Sequence, residues 1–410
     1  MTVTRDSDSG TAITLDMTVL DAVEWQHWVA KTDQRQTSEE NATTIALKAD
    51  LVSGYGQSWS EFSLEGEFND VFWQVKVDSP DVTGQLRQQY HTADSRIYGD
   101  FERVSLQRIN EMSPFLATDG PIAASTSFPD WPAVDITIRH LRLDQRLLGE
   151  LYIMTTLDGP SWLLDKATLS HPDYHAEMIG EWSVKGNTPI TTLQLHSSSE
   201  KLETLLINLL NEDTGLEAKR AIADIYLSWP DSPWRFNLQS TVGNVFFELE
   251  EGSIEQINPG TAGRLLGLLS ITALPRRLSL DFHELFEDSM PFNTVTGNVA
   301  IKKGLAKTQK MVLDSETAVV EVTGEVDLLN ERYDQQVTVT PNVASTLPAA
   351  GAVAGGPVGL GVGTAIFLMD KVSTALFNQN IINRISYDYA LTGTWSEPVL
   401  SVMTENDAED

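Results

Sequence analysis

The sequence predicts a mainly β protein built on a long, curved and mostly antiparallel sheet, with a few short helices. Apolar residues alternate with polar ones in many short segments, as in Trp73, Val75 and Val77, and this period of two is typical of strands with one apolar face. Turn residues such as Ser79-Pro80-Asp81 separate the segments at fairly even intervals. Such strands in series indicate either an antiparallel sheet with one face in water or a sheet curved around an apolar interior.

The same alternation predicts strands along most of the chain. Their apolar positions are Phe62, Leu64 and Phe68; Val134, Ile136 and Ile138; Leu151, Ile153 and Leu157; Phe236 and Leu238; Val245, Phe247 and Leu249; Leu278, Leu280 and Phe282; Val320 and Val322; Val337 and Val339; and Tyr387, Tyr389 and Leu391.

Helical patterns are few. Ser197 with Glu200 resembles a capping box, and leucines follow it at positions 202, 205, 206, 209 and 210, which form one stripe of an amphipathic helix near residues 197–211. Pro259 at a first helical position predicts a second helix over 259–270. Two further helices are predicted at 21–31 and 360–377, the latter within a C-terminal helical segment.

Charge and cysteine content exclude several classes of protein. The chain has 410 residues, of which 58 are acidic and 28 are basic, and a formal net charge of -30. Binding a nucleic-acid backbone needs clustered Lys and Arg, so we expect no nucleic-acid partner. The absence of cysteine excludes disulfide scaffolds, thiol catalysis and thiolate metal sites. The polar N-terminal segment is not a signal peptide.

Residues 348–369 form a segment without charged side chains. This segment is long enough to cross a bilayer. Its many glycines, with Pro348 and Pro357, oppose a spanning helix. Three interpretations stay open: a buried pair of small-residue helices, a tip that contacts a membrane, and a true spanning helix. If the segment contacts a membrane, the contact residues are Val353, Val358, Leu360, Val362, Ile366 and Phe367.

Catalytic and metal-binding motifs are mostly absent, so we expect no enzyme activity, no cofactor and no metal. His283-Glu284 is followed by Glu287 where a zinc-helix motif needs a second histidine. His171 and His175 have Pro172 between them, which makes a shared helical face doubtful and favours surface histidines. The glycines of residues 355–363 lack dinucleotide-loop spacing. Ten tryptophans fit a sheet core better than a sugar-stacking platform.

Six blocks in order resemble the C-terminal region of AsmA-like proteins, closest to the YhdP group and more distantly to TamB. They are WPAVDITIRHLRL (131–143), LSWPDSPWRF (227–236), GSIEQINPGTAGRLLGLLS (252–270), ALPRRLSLDF (273–282), YDQQVTVTP (333–341) and LTGTWSEP (391–398). Residues 1–130 resemble the more variable repeats of that family, but this resemblance is weaker. The resemblance implies β-groove repeats over 1–130, an AsmA-like C-terminal β-groove with bracing helices over 131–345, an uncharged helical segment over 346–380, final strands over 381–402 and a disordered acidic tail over 403–410.

The resemblance also implies a function. Such proteins are bridge-like lipid carriers of the periplasm, with a repeating β-groove, implicated in moving phospholipids between the inner and outer membranes and in keeping the outer-membrane barrier intact. The family is anchored in the inner membrane, and we expect that anchor to lie upstream of this chain. Phospholipids and both membranes are therefore the expected partners, and no reaction is needed.

The period of two, combined with this resemblance, predicts ten groove-lining residues: Phe62, Leu64, Trp73, Val75, Ile136, Ile138, Ile153, Phe247, Leu249 and Leu280. Two other classes of function stay open. One is an envelope scaffold or regulatory binding module, in which the apolar faces pair in an ordinary β core without a lipid conduit. The other is a sugar-binding or sugar-cleaving β protein, which would need exposed tryptophan beside a pair of carboxylates.

Overall fold

The structure, a computed structural model, describes residues 2–6, 10–22, 43–54, 56–90, 95–107, 132–185, 188–210, 213–233, 235–255, 289–342, 386–395 and 397–403. Its strands are mostly antiparallel, and the described residues contain one helix, α1 (Leu202–Leu210). The chain divides into two compact units. Unit 1 comprises Met1–Gln194 and Pro230–Phe236, and unit 2 comprises Leu195–Trp229 and Asn237–Asp410. The mainly β, mostly antiparallel fold is thereby confirmed.

Unit 1 holds the first eleven strands, which pair in chain order. They are β1 (Thr2–Asp6), β2 (Gly10–Asp21), β3 (Thr43–Gly54), β4 (Gln57–Phe68), β5 (Phe72–Asp78), β6 (Val82–Gln89), β7 (Ile97–Leu106), β8 (Val134–Leu143), β9 (Arg146–Asp158), β10 (Ser161–His171) and β11 (Tyr174–Lys185). Strand β12 (Thr188–Ser199) contributes residues to both units.

Two strand pairs of unit 1 are parallel, β2 with β3 and β7 with β8. The sequence pattern did not predict them, because alternation identifies a strand without giving its direction. The long connections at residues 22–42 and 107–133 fit this arrangement, since parallel neighbours need a crossover of about a dozen residues or more.

The strands of unit 2 are β13 (Leu216–Pro230), whose last residue belongs to unit 1, β14 (Val242–Glu255), β15 (Ser289–Lys302), β16 (Leu305–Asp314), β17 (Ala318–Asp327), β18 (Arg332–Pro341), β19 (Tyr387–Thr394) and β20 (Pro398–Val402). Each pairs antiparallel with the next. Burial alternates strictly along β18 and along β15 from Val295 onwards, so one face of this sheet is buried and the other is in water.

Polar side chains end several of the strands. The Asn69 carboxamide oxygen accepts hydrogen bonds from the N–H groups of Val71 and Phe72, both at 2.8 Å, and this turn joins β4 to β5. Between β15 and β16, Lys303 and Gly304 both have positive φ, at 53° and 80°, as a two-residue hairpin requires. The predicted turn at Ser79-Pro80-Asp81 lies between β5 and β6.

Two sequence predictions need correction. Phe236 and Leu238 do not form a strand, because Asn237 begins a turn: its side-chain oxygen accepts from the Gln239 N–H at 2.7 Å and its carbonyl accepts from Ser240. Helix α1 begins at Leu202, not near Ser197, because β12 continues to Ser199.

Other predictions fall outside the described residues. They are the helices at 259–270 and 360–377, most of the helix at 21–31, the segment 278–282, the domain boundary at 130, the whole helical segment 346–380, and the tail beyond residue 403. Among the described residues, no helix is long and apolar enough to cross a bilayer.

Candidate functional site

Strand register brings most of the predicted groove-lining residues of unit 1 onto one face of the sheet. Residues that pair directly across strands share a face. One row of pairs runs Gly66–Val75–Leu86–Gly99–Ile136–Ile153–Ala167, and a parallel row runs Leu64–Val77–Gly84–Phe101–Ile138–Leu151–Leu169. We call these two rows the first apolar face. Trp73 pairs with Phe68 two residues beyond Gly66, and Phe62 lies two residues before Leu64, so both extend the face.

The first apolar face is only partly covered. Phe62, Leu64, Trp73, Val75, Ile136 and Ile153 are half-buried, while Ile138 is 9% exposed. Neither row contains a polar side chain. Seven of the ten predicted groove-lining residues thus lie on this face, and their contact with lipid stays a prediction.

Strands β4 and β7 of unit 1 approach each other where β5 and β6 end. The indole Nε1 of Trp59 in β4 donates a hydrogen bond to the carbonyl oxygen of Ser105 in β7 at 3.3 Å, although β5 and β6 lie between these strands in pairing order. Trp59 packs on the same buried cluster as Phe62 and Leu64. Because β4 pairs with β5 only from Ser63 onwards, Trp59 reaches Ser105 past the ends of β5 and β6.

Unit 2 carries a corresponding apolar face. Its two rows of cross-strand pairs are Ala221–Leu249–Val295–Leu313–Val320–Val339–Tyr387 and Ala223–Phe247–Gly297–Met311–Val322–Val337–Tyr389. We call these rows the second apolar face. The predicted residues Phe247 and Leu249 lie on it. It is more deeply buried than the first, since Val295, Val337 and Val339 are all 0% exposed.

A polar pair lies beside the second apolar face, in the next row on the same side of the sheet. Thr308, Gly324 and Gln335 are paired across β16, β17 and β18, and the Gln335 side chain crosses the glycine to donate a hydrogen bond from Nε2 to Thr308 Oγ1 at 3.2 Å. Both side chains are buried. The other amide atom, Gln335 Oε1, has no hydrogen-bond partner among the described residues.

The opposite side of the unit 2 sheet is charged. Lys307 and Glu325 pair at 3.2 Å across β16 and β17, and Lys310 and Glu321 pair at 2.9 Å on the same two strands. Lys219 and Glu251 join β13 to β14 at 2.7 Å. These pairs are exposed and add little stability each, but they fix which side of the sheet faces water.

An apolar pocket of about 170 Å³ lies beneath helix α1 in unit 2. Leu202, Leu205 and Leu206 form its helical wall. Strands β12, β13 and β14 supply the other lining residues, which are Ser197, Ser199, Leu216, Ala221, Ile222, Ala223, Val245, Phe247 and Leu249. The two serines are the only polar residues in this list. The leucine stripe predicted from the sequence thus covers part of the second apolar face.

Carboxylates gather around Glu217 in β13, next to the pocket residue Leu216. Burial raises the pKa of the Glu217 carboxyl, and the negative charges of Glu203 in α1, Glu255 in β14 and Asp213 raise that pKa further. Both α1 and β14 thus direct negative charge towards Glu217.

The histidines of β10 and β11 do not form a metal site. His175 Nε2 lies 3.3 Å from Glu177 Oε1 on the surface, and His171 stacks on Tyr174 with 4.4 Å between ring centroids. Over the described ranges, no three His, Asp or Glu side chains are grouped to hold a metal ion. Leu280 and the six predicted membrane-contact residues, Val353, Val358, Leu360, Val362, Ile366 and Phe367, lie outside those ranges.

Comparison with known proteins identifies the family. The chain matches the YhdP protein family over residues 2–400. It belongs to the YhdP family. The Escherichia coli (strain K12) protein named "Intermembrane phospholipid transporter YhdP" is 26% identical over 370 residues, which cover 87% of this chain and 28% of that relative. No solved structure matches the chain significantly.

The YhdP match agrees with the resemblance found in the sequence blocks and extends it through residues 1–130. The chain spans about 28% of the length of the E. coli relative. The name of that relative describes it as a transporter.

Proposed function

We propose that this chain is a non-enzymatic part of a bridge-like lipid-transfer protein, which carries phospholipid acyl chains in an apolar β-groove. The observation that carries the proposal is the first apolar face, where two rows of residues cross seven strands without a polar side chain. The name of the E. coli relative supports phospholipid as the cargo.

The physical basis is the hydrophobic effect. Each methylene group withheld from water contributes about 0.8 kcal/mol, so a continuous apolar strip holds an acyl chain without specific polar contacts. Because neighbouring positions along the rows are chemically alike, a chain can slide between them at little energetic cost. The charged opposite side keeps the sheet soluble in an aqueous compartment.

The setting that fits this function is the cell envelope, with the chain in the periplasm between the inner and outer membranes and an inner-membrane anchor upstream. In this proposal the ten predicted residues line the groove, including Leu280. Val353, Val358, Leu360, Val362, Ile366 and Phe367 contact a membrane. Lipid delivery of this kind supports the integrity of the outer-membrane barrier.

A matched pair of substitutions in β5 tests the groove. Val75 lies on the first apolar face and Gln74 is exposed on the other side of the same strand. Val75→Asp and Gln74→Asp each add one negative charge to adjacent positions. We expect Val75→Asp to lower the yield of lipid captured from phosphatidylethanolamine and phosphatidylglycerol vesicles by about tenfold or more, and Gln74→Asp to leave it unchanged.

Native mass spectrometry of the purified chain measures bound lipid directly. Bound phospholipid that is lost in Val75→Asp supports the proposal. A chain that carries no lipid, or equal losses in both variants, would overturn it.

One observation favours the second candidate, a scaffold or regulatory binding protein with an ordinary β core. Most of the second apolar face is buried, as a filled core would be, with Ala223 and Tyr387 only partly covered. The two functions differ in what a photo-reactive side chain captures. A photo-crosslinker placed at Val75 or Ile153 captures lipid if the sheet is a conduit, and captures only protein if it is a core.

A further inference from the structure

The pocket beneath helix α1 owes its free space to a glycine. Gly297 in β15 pairs directly with Phe247 in β14, and the Phe247 ring lies over the position that a Gly297 side chain would occupy. A Cβ atom added there would overlap two ring atoms of Phe247 and lie 3.1 Å from a third. The ring therefore rests on the sheet at Gly297 instead of standing away from it.

Phe247 also lines the pocket. A side chain at position 297 lies on the same face as its cross-strand partner, so a methyl group there would force the ring off the sheet and into the space under α1. Gly297 thus controls how much of the pocket is open, although it is not itself a lining residue.

The lining indicates what the pocket binds. Leu205, Leu206, Leu216, Val245 and Leu249 present hydrocarbon, and no charged residue type lines the pocket. Its volume of about 170 Å³ is close to that of an engineered apolar cavity of about 150 Å³ that stays dry and takes up benzene. Such a space excludes a phosphate or an amine and admits the end of a hydrocarbon chain.

We propose that the pocket between helix α1 and strands β13 and β14 binds the methyl end of a phospholipid acyl chain, and that Gly297 keeps it open by letting the Phe247 ring lie on the sheet. This inference rests on the proposed function, because lipid transfer brings the acyl chain to the sheet. It adds a binding site for the methyl end of the acyl chain, and it names the residue pair, Phe247 and Gly297, that determines the size of this site.

The test uses the full chain and two photo-reactive phosphatidylethanolamines in phosphatidylglycerol vesicles. One carries a diazirine at the methyl end of an acyl chain and the other carries it beside the headgroup. After irradiation and digestion, the tail-end probe should label peptides from Leu202–Leu210 and Val242–Glu255, and the headgroup probe should not label them.

Three variants examine the role of Gly297. Gly297→Ala should lower tail-end labelling of these peptides about tenfold, because the displaced ring occupies the site. The double variant Phe247→Leu with Gly297→Ala should restore the labelling, since no ring remains to be displaced. Asn298→Ala, exposed on the opposite side of β15, serves as the control that leaves labelling unchanged.

The outcomes separate this inference from the proposed function. Lipid captured elsewhere on the chain but not beneath α1 overturns the pocket and leaves lipid transfer standing. No captured lipid at all overturns both. If Gly297→Ala fails to fold, the labelled positions in the wild-type chain still decide whether the tail end reaches the pocket. Labelling beneath α1 that is insensitive to Gly297→Ala overturns the role of the glycine.

Discussion

The side-chain amide of Gln57 makes two hydrogen bonds with the main chain of Gln107. Gln57 Oε1 accepts from the Gln107 N–H at 2.6 Å, and Gln57 Nε2 donates to the Gln107 carbonyl oxygen at 3.0 Å. Neighbouring strands lie about 4.8 Å apart, so a flat sheet would hold β4 and β7 roughly 14 Å apart. The amide pair, like the Trp59–Ser105 hydrogen bond, therefore marks a sharp bend where the short strands β5 and β6 end.

The first prediction concerns this bridge. Gln57→Ala should lower the free energy of unfolding by about 1 kcal/mol, because two hydrogen bonds at an exposed site are replaced by contacts with water. Urea denaturation measures the change. Gln85→Ala, an exposed glutamine of β6 in the same unit, should change stability by less than about 0.5 kcal/mol. If the two substitutions change stability equally, then the hydrogen bonds between Gln57 and Gln107 do not stabilise the fold.

The chain contains no cysteine, which allows a direct test of the bend itself. A Gln57→Cys and Gln107→Cys variant has its only two thiols at the bridge. A short bifunctional thiol reagent should link them within the folded chain and accelerate gel migration after denaturation. A Gln85→Cys and Gln107→Cys pair gives the comparison, and linkage that is no more efficient at the bridge than there would contradict the bend.

The second prediction concerns two buried serines that end strands in the same way, one in each unit. Ser79 Oγ accepts from the Val82 N–H at 2.8 Å, and Ser315 Oγ accepts from the Ala318 N–H at 3.0 Å. Each hydroxyl also donates to the carbonyl of that partner. Ser79→Ala and Ser315→Ala should each cost about 1–2 kcal/mol, because buried main-chain groups lose a partner.

Thermal or urea unfolding checks these costs, with Ser60→Ala and Ser401→Ala as exposed controls in the two units. The two buried serines should behave alike although they are far apart in sequence. If either buried serine can be replaced without loss of stability, then its hydroxyl does not hold the turn.

The third prediction concerns the polar pair Thr308 and Gln335 beside the second apolar face. Thr308→Val removes the acceptor of the Gln335 amide and leaves a buried donor unpaired, so it should cost about 1–3 kcal/mol. The double variant Thr308→Val with Gln335→Leu should be as stable as the wild type or more stable, because an amide with one unpaired oxygen is replaced by hydrocarbon. A double-mutant cycle measures the coupling. A double variant that is clearly less stable than the wild type would contradict this prediction.

The sequence alone was enough to predict many of the strands and the apolar side of each, and the reasons are local. Alternation such as Val320 and Val322, or Val337 and Val339, determines a face without knowledge of the neighbouring strands, and both pairs lie on the second apolar face. Along β4, Glu61 takes a positive φ of 49°, and Trp59 and Phe62, on either side of it, pack on one cluster. A strict period of two would place these two residues on opposite faces.

What depends on register could not be predicted from the pattern. The role of Gly297 depends on the pairing of Phe247 opposite it. The role of Gln57 depends on the position of Gln107, which lies beyond two intervening strands. The start of α1 was predicted too early, because Ser199 rather than Ser197 supplies the hydroxyl at this helix start: its Oγ accepts from the Lys201 N–H at 3.1 Å. Both serines fit the preference for a polar residue at a helix start, and continued strand geometry decides between them.

The last prediction concerns the carboxylates beside the pocket. The pKa of Glu217 is raised from its ordinary value of 4.5 by burial and by the charges of Glu203, Glu255 and Asp213, so ionised Glu217 opposes folding. The penalty is full above the raised pKa and disappears as the pH falls through that pKa towards the value in the unfolded chain. Glu217→Gln should therefore be more stable than the wild type near pH 7, and the difference should vanish at low pH.

Because Glu217 is mostly exposed, we expect a gain of only a few tenths of a kcal/mol, and it should shrink in salt. Glu251→Gln provides a comparison of opposite sign, since the hydrogen bond and charge of Lys219 lower the pKa of Glu251. Any stability that Glu251 contributes is present near pH 7 and is lost as the pH falls through that lowered pKa. Melting temperatures of both variants across the acidic range distinguish the two cases. If Glu217→Gln destabilises the chain near pH 7, the repulsion between α1 and strands β13 and β14 does not exist.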